Sequence, residues 1–463
     1  MQCVQTKLNY GEAGYPVVGI SSSSTWKNYM NIVVVGTGYV GLVSGACFAE
    51  IGANVTCLDT DTLKIEALES GKVPIFEPHL ERVVAQNVSA DRLRFESTFG
   101  SFVREADLIF IAVGTPTDKR NGGINISYVE NAVGFLAPLL DGYTVVVNKS
   151  TVPVGTAGRL STLISELNKN ADFDVASNPE FLREGSAIDD FMNPDRIIVG
   201  TNSPRAEKVL RQLYQPLVDK NVPIVVMDTK SAELTKYASN AFLATKVAFI
   251  NEMAALCDSA GADVKSVAAG MGLDKRIGPQ FLKPGPGVGG SCFPKDTRAL
   301  VNIAHEHEVE ARIVTAVIDA NQHQMERMVS KIKVAGGGRL ANQNIGVMGL
   351  TFKPNTDDMR ESPAISILSN LVEAGARLRA HDPEGMTQAK LLLPDSIKYC
   401  DEMYDVCAQA DILVLMTEWD VYESLNLRLV KSLMRGDAIV DLRNIFQRSY
   451  IEDNGFRYYG VGC

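Results

Sequence analysis

The chain has 463 residues, 46% hydrophobic and 22% charged, a composition that builds sizeable cores and excludes wholesale disorder. Its formal net charge is -10, so no global basic field attracts nucleic acid. No apolar run approaches the ~20 residues that a membrane helix needs, and the length suits about two to four domains.

Residues 1–29 differ in character from the rest of the chain. "GISSSSTWKNY" is polar and Ser-rich, and "MNIVVVG" then opens like a start at Met30. No basic segment precedes an apolar one, so this is not a secretory signal; the stretch is expected to be a disordered extension or a start-site artefact. From Asn31, "NIVVVGTGYVGLVSGACFAEIGANVTCLD" reads as strand, glycine turn, helix, strand. The first strand is apolar throughout, as a buried parallel strand is. Gly36, Gly38 and Gly41 have the G-x-G-x-x-G spacing, and Asp59 ends the next strand about twenty residues on. Such glycines let a pyrophosphate approach the backbone at a helix N-terminus. The acid accepts from ribose hydroxyls and repels a 2′-phosphate, so NAD is expected over NADP.

Further buried strands lie in "ADLIFIAVGTPT", "YTVVVNKSTVPVGT", "FDVASNPEFL", "DRIIVGT" and "VPIVVMD". Strands alternating with helices predict a doubly wound parallel sheet with its ligand crevice at the strands' carboxyl ends. Ser231–Ala260 has no Pro and predicts a long helix, roughly 45 Å at 1.5 Å per residue. After Asn342 the first pattern returns: "NIGVMGLT…VEAGARLRAHD…ADILVLMTEW" matches "NIVVVGTG…AEIGANVTCLD…ADLIFIAVGTP" in order and spacing, without the glycine fingerprint. The expected fold is α/β, with two Rossmann-like doubly wound parallel-sheet domains joined by a long central helix. Its parts are 30–228 for NAD, 229–335 as a central helical region with a cysteine loop, suited to span two domains or a subunit interface, and 336–463 as a second Rossmann-like domain that binds something other than NAD.

The eight cysteines are scattered, with no CxxC and no zinc-like pairing with the five histidines, so free thiols in the cytoplasm and no metal site are expected. A random cysteine is usually a small buried hydrophobe. Cys292 differs, because it sits in the Gly- and Pro-flanked loop "GVGGSCFPKD" beside Lys295 and Asp296. A cationic neighbour and aligned backbone N–H groups favour a thiolate. With NAD, a thiolate can hold an aldehyde as a thiohemiacetal, which loses hydride to give a thioester that water hydrolyses. Lys236 and Asn240 lie four apart on the long helix and can together hold an oxyanion. Glu180 and Glu184 in "NPEFLREG" can orient water or take protons. Read without context, the same residues also suit a solvated helix face and an ordinary polar loop.

The motifs "GTGYVGL", "STVPVGT", "NPEFLREGSAIDDFMNPDRIIVG", "KYASNAFLATKVAFINE", "GGSCFPKDT", "FKPNTDDMRESPA" and "DLRN" together resemble the UDP-glucose 6-dehydrogenase family, from Met30 to about Phe446. The resemblance implies two successive NAD-dependent oxidations at C6 of UDP-glucose, giving UDP-glucuronate. It implies Cys292 as nucleophile, Lys236 and Asn240 as oxyanion donors, and Asp296, Thr151 and Glu180 for water and protons. Which of these is the base stays open. For NAD it implies Gly36, Gly38, Tyr39, Val40, Gly41, Asp59, Lys64, Thr115, Thr117, Thr151, Glu184 and Arg360. For the UDP-sugar it implies Glu180, Phe181, Leu182, Glu184, Lys236, Asn240, Phe281, Lys283, Gly287, Gly289, Lys353 and Arg443. Arg276 would reach the sugar of a neighbouring subunit in a homodimer or higher oligomer. Lys283, Lys353 and Arg443 supply local positive charge for a pyrophosphate.

Val288 stands where an aromatic is common in the family. Sister enzymes act on GDP-mannose or UDP-N-acetylhexosamines; the latter tend to carry His in place of Ser291, so Ser291 with "CFPKDT" favours UDP-glucose. Other classes are a noncatalytic nucleotide-sugar sensor, which needs no nucleophile, and a two-electron β-hydroxyacid dehydrogenase, which needs no Cys292.

Overall fold

The computed structural model describes residues 30–118 and 122–463. The expectation for residues 1–29 lies outside them. The chain divides into two compact units, one ending at Lys236 and the other beginning at Tyr237.

The first unit holds β1 (Asn31–Val35), β2 (Asn54–Leu58), β3 (Leu93–Glu96), β4 (Leu108–Ile111), β5 (Tyr143–Asn148), β6 (Asp172–Ser177), β7 (Ile197–Gly200) and β8 (Ile224–Met227). They form one sheet in the order β3-β2-β1-β4-β5-β6-β7-β8. Ile32 and Val34 of β1 enter one core and Val33 and Val35 the other. A strand covered on both faces is apolar along its buried length, which is why Ile32–Val35 shows no alternation. The helix Tyr39–Glu50 lies close to this sheet: a Cβ on Gly45 would stand 2.4 Å from the Cys57 sulfur.

One pairing departs from the parallel sheet that the sequence predicts. β6 meets β7 antiparallel through Ser177 and Gly200, while β7 and β8 are parallel to each other. The connection from β6 to β7 holds only the six-residue helix Ala187–Met192. Without a full crossover helix the chain doubles back along the sheet.

The second unit holds β9 (Asn344–Met348), β10 (Arg377–His381), β11 (Lys398–Tyr399), β12 (Ile412–Leu415), β13 (Ala438–Asp441) and β14 (Arg457–Tyr459). Their order, β11-β10-β9-β12-β13-β14, repeats that of the first six strands, and every pairing is parallel. This is the 3-2-1-4-5-6 order of dinucleotide-binding sheets. Ile345 and Val347 face one core, and Met348, Leu413 and Leu415 the other. The long helix runs Thr229–Ala260, two residues longer than the sequence predicts, and the division between units falls inside it. Among the described residues no helix is long and apolar enough to cross a membrane.

Candidate active site

After β1 the chain turns through Gly36, whose φ of 101° favours glycine. The following helix starts tight against this turn: a Cβ on Gly41 would lie 1.9 Å from the Gly36 carbonyl oxygen. A Cβ on Gly38 would meet nothing within 4 Å, and no side chain caps the helix Tyr39–Glu50 there. Open space before uncapped N–H groups is what a pyrophosphate requires, so Gly36, Gly38, Tyr39, Val40 and Gly41 fit NAD. Thr115 and Thr117 lie half-buried in the loop after β4.

Asp59 comes directly after β2. It accepts from the Thr37 N–H and hydroxyl, both at 2.8 Å, and pairs with Lys64 at 3.2 Å. Burial alone raises this carboxyl, but the hydrogen bonds from Thr37 and Asp61, with the Lys64 charge, outweigh it and hold the group below the usual carboxylate range. An ionised Asp59 suits ribose hydroxyls and opposes a 2′-phosphate. Asp59→Ala is expected to weaken NAD binding by about tenfold and to narrow the preference over NADP. Comparing kcat/KM for the two cofactors checks this, and an unchanged preference removes Asp59 from that role.

Two loops are fixed by the first turns of the long helix. Glu233, buried, accepts from the Gly155 and Ala157 N–H groups at 2.6 and 2.8 Å and from the Ser177 hydroxyl at 3.3 Å. It thereby holds the segment that carries Thr151. Lys236 donates to the Glu180 carbonyl at 2.7 Å and to its carboxylate at 2.9 Å, while Leu182 N–H donates to the other carboxylate oxygen at 2.6 Å. Burial by itself raises the Glu180 carboxyl. The Lys236 ammonium more than offsets this, so Glu180 lies below its ordinary range as a buried carboxylate. The Phe181 ring carries the Arg196 guanidinium 3.6 Å from its centroid and the Lys236 ammonium at 5.3 Å.

Lys149, directly after β5, is a second buried cation. It donates to the Asn178 side chain at 3.1 Å, and burial depresses it to about 8, with Glu180 pulling the other way. Sequence reasoning passed over Lys149 and Glu233. The only local signal is a lysine directly after an apolar strand; Glu233, between Lys230 and Lys236, gives none.

In the second unit Asn240, one turn beyond Lys236 on the same helix, donates to Asp296 at 2.6 Å. Lys295 bonds the other Asp296 oxygen at 2.7 Å, and Asp296 is 1% exposed. The sequence treats Lys236 and Asn240 as a joint pair of donors; the fold gives each its own carboxylate, 56 residues away. Asp296 belongs to the first turn of the helix Phe293–Glu306, which Pro294 and the acid both suit. Cys292 is the N-cap of this helix, with its thiol 3.5 Å from the Ser291 hydroxyl. Among the described cysteines, Cys47, Cys57, Cys257, Cys400 and Cys407 are buried, and only Cys292 and Cys463 are partly exposed. Burial pushes the Cys47, Cys57 and Cys407 thiols up to about 12. Those thiols behave as small hydrophobes, and Cys292 stands apart at a helix N-terminus.

The loop before Cys292 packs on the segment after β9. Gly290 has φ 87°, and a Cβ there would lie 2.7 Å from the Phe352 ring; one on Gly289 would lie 2.6 Å from the Glu361 carbonyl. Asn321 bonds both the N–H and the carbonyl of Val288, at 2.6 and 3.1 Å, in the same stretch as Gly287. The Phe352 carbonyl accepts from Arg443 at 2.7 Å, and Arg443 also pairs with Glu418 at 3.1 Å. A Cβ on Gly285 would stand 3.1 Å from the Arg443 guanidinium. The fold thus brings together the 283–290 loop, Phe352 with its neighbour Lys353, and Arg443. Phe281 packs on Phe293 with ring centroids 6.0 Å apart, and Lys283 is exposed. Arg276 is exposed and pairs with Asp274; Arg360 pairs with Asp358.

The second sheet has a counterpart of Asp59 in Asp382, after β10. It is wholly buried, and its oxygens accept from the N–H groups of Leu350, Thr351, Glu384 and Gly385. These bonds close a turn, in keeping with the missing glycine fingerprint.

A dinucleotide turn on one parallel-rich sheet, and a second Rossmann-like sheet without that turn, define an NAD-dependent dehydrogenase with two Rossmann-like units. Family models describe its parts: the NAD binding domain of the UDP-glucose/GDP-mannose dehydrogenase family matches residues 30–218, the central domain 230–323 and the UDP binding domain 346–448. The chain belongs to the UDP-glucose/GDP-mannose dehydrogenase family, and its cofactor is NAD. It is 48% identical over 435 residues to the UDP-glucose 6-dehydrogenase of Rhizobium meliloti (strain 1021), covering 94% of this chain and 99% of that one. A UDP-glucose dehydrogenase structure from Pyrobaculum islandicum aligns with TM-score 0.87 at 37% identity, over 96% of this chain and 100% of that one. A UDP-D-ManNAc dehydrogenase from Pyrococcus horikoshii aligns with TM-score 0.82 at 26% identity, over 94% and 99%.

Proposed function

We propose that this protein oxidises UDP-glucose to UDP-glucuronate in two NAD-dependent steps, holding the intermediate on Cys292. The partly exposed Cys292 at the N-terminus of the helix Phe293–Glu306 carries this reading; among the other described cysteines five are buried, and burial pushes up the thiol of Cys463, the other partly exposed one. The 48% identity to a UDP-glucose 6-dehydrogenase supports this substrate over other sugar nucleotides.

NAD, when bound, would supply the hydride acceptor, one molecule for each of the two oxidations. In the first, the C6 alcohol loses a proton and a hydride and becomes an aldehyde. The Cys292 sulfur then adds to the aldehyde carbon, forming a C–S bond and a negative oxygen. Lys236 and Asn240 are the donors for that oxygen, held in position by Glu180 and Asp296. Loss of a second hydride gives a thioester. Water adds to its carbonyl, the C–S bond breaks, and the thiol is regenerated with the carboxylate product. Glu180, Asp296 and Thr151 are the groups assigned to water and proton handling. Lys283, Lys353 and Arg443 balance the pyrophosphate charge, with Phe281 and the Gly287 and Gly289 backbone beside it.

The test is NADH formed per sugar nucleotide consumed. Two per UDP-glucose are expected, and none with GDP-mannose or UDP-N-acetylglucosamine. One per UDP-glucose would make Cys292 structural, and two from another sugar nucleotide would keep the chemistry and change the substrate.

The same reading includes a homodimer or higher oligomer. Phe242, Phe249 and Leu256 recur every seven residues on the long helix and are 67%, 44% and 60% exposed. A surface stripe of large apolar side chains is the mark of a protein contact. Light scattering is expected at twice the 50.2 kDa chain mass or above, and a monomer at working concentration would overturn this. The proposed location is the cytoplasm, where thiols stay reduced; recovery in a secreted fraction would contradict it.

A further inference from the structure

Glu77, in the segment between the helices Thr62–Glu69 and Leu80–Ser89, is 6% exposed. A buried carboxylate needs partners, and Glu77 has them on two segments far away in sequence. One oxygen accepts from the Ala187 N–H at 2.8 Å. The other accepts from the Gly185 N–H at 2.6 Å and from the Tyr39 hydroxyl. The Gly185 N–H also lies 3.0 Å from the Tyr39 oxygen. Burial, then the Glu77 bond, raise the Tyr39 phenol, so it stays protonated and donates.

Tyr39 is the first residue of the helix behind Gly38, inside the dinucleotide turn. Gly185 and Ala187 end the loop that carries Glu180 and Glu184. The opposite end of that loop is held by Lys236 at Glu180, and its middle by the Arg183 N–H on Asp190 at 2.7 Å. One carboxylate therefore links the NAD turn to the loop of acids. Building on the proposed function, we propose that Glu77 is a positioning residue: through Tyr39 it couples the dinucleotide turn to the Glu180–Glu184 loop. A tyrosine hydroxyl inside the turn and two loop N–H groups share the same carboxylate, so order in one segment favours order in the other. Linkage makes the effect reciprocal: NAD binding orders the loop, and an ordered loop raises NAD affinity.

The test compares wild type, Glu77→Gln and Tyr39→Phe as full-length protein. Glutamine keeps the shape but turns an amide toward a donor, and phenylalanine removes only the hydroxyl. Three quantities are read: NAD affinity by calorimetry without sugar, amide exchange at residues 180–187, and kcat with KM. Glu77→Gln is expected to weaken NAD roughly tenfold, to lower kcat by a similar factor and to speed exchange at Gly185 and Ala187. Tyr39→Phe is expected to weaken NAD about threefold. A folded Glu77→Gln with wild-type affinity, kcat and exchange overturns the proposal. So does a variant that only melts earlier while affinity and kcat per folded site hold. If Glu77→Gln does not fold, Tyr39→Phe decides on the same readouts, and unchanged values there overturn it. Wild-type NADH counts run in the same series separate a failure of the proposed function from a failure here, because NAD affinity and exchange need no sugar turnover.

Discussion

Cys292→Ala is expected to abolish net formation of UDP-glucuronate, with kcat lowered about 10³-fold or more, while NAD and UDP-glucose still bind. Acid formation needs a tetrahedral adduct that can lose a hydride, and without the thiol nothing at this position makes one. Binding should survive because the side chain is small and half-buried, and the helix that begins there keeps its proline and its first-turn acid. Cys292→Ser separates the steps further. An alkoxide leaves far less readily than a thiolate, so an ester on Ser hydrolyses slowly and accumulates. Intact-protein mass after incubation with NAD and UDP-glucose should show the added sugar nucleotide. Normal turnover of the alanine variant would falsify covalent catalysis, and unmodified serine protein after incubation would count against the same scheme.

The two sheets are readable in the residues because their central strands are buried on both faces. β4 and β12 announce themselves as unbroken apolar runs, and β1 and β5 as Val-rich runs with polar residues only toward their ends. The short outer strands are not readable. β3 alternates buried and exposed residues, β11 is two residues long, and neither exceeds the background of polar loops. The reversed β7–β8 pair is invisible for a different reason. Strand direction depends on whether the intervening chain crosses over, and "NPEFLREGSAIDDFMNPD" looks as helical as a true crossover.

The same distinction applies to the site. The glycine turn, Asp59 and the cysteine loop are local patterns, each contained in a short window. The carboxylate partners are not, because each is chosen by the fold from a distant segment. Lys236 is 56 residues from Glu180, Asn240 is 56 from Asp296, and Glu77 is 108 and 110 from the two N–H groups it accepts. "PIFEPHL" offers no hint that its glutamate is buried, since Glu is rarely buried without a partner and the partner lies elsewhere in the chain.

Lys236→Ala is expected to lose both activity and stability, and the two losses should separate in a second variant. Lys236 and Glu180 form a buried pair, with side chains 5% and 6% exposed. Removing the ammonium leaves a carboxylate with one remaining bond, from Leu182, in a place that disfavours charge. Breaking one side of a buried pair costs about 3–5 kcal/mol. For a unit of this size that lowers Tm by roughly 6–20 °C. Glu180 should then titrate higher. In the wild type its carboxyl is held low, so the stability it contributes is present above the unfolded carboxyl range and fades as pH falls through its own lower value. In Lys236→Ala that acid-side loss is expected to shrink, because burial is then offset only by the Leu182 bond and the Lys149 charge, and protonation relieves the stranded carboxylate. Adding Glu180→Gln removes the stranded charge and should recover much of the Tm. It should not recover kcat, because the oxyanion donor is still missing, a loss of about 10²–10³-fold in rate. Thermal melts across pH, together with kcat and KM for single and double variants, provide the check. A KM rise with kcat unchanged would move Lys236 from transition-state work to substrate binding. A double variant no more stable than Lys236→Ala would mean the pair is not what holds the Glu180 loop.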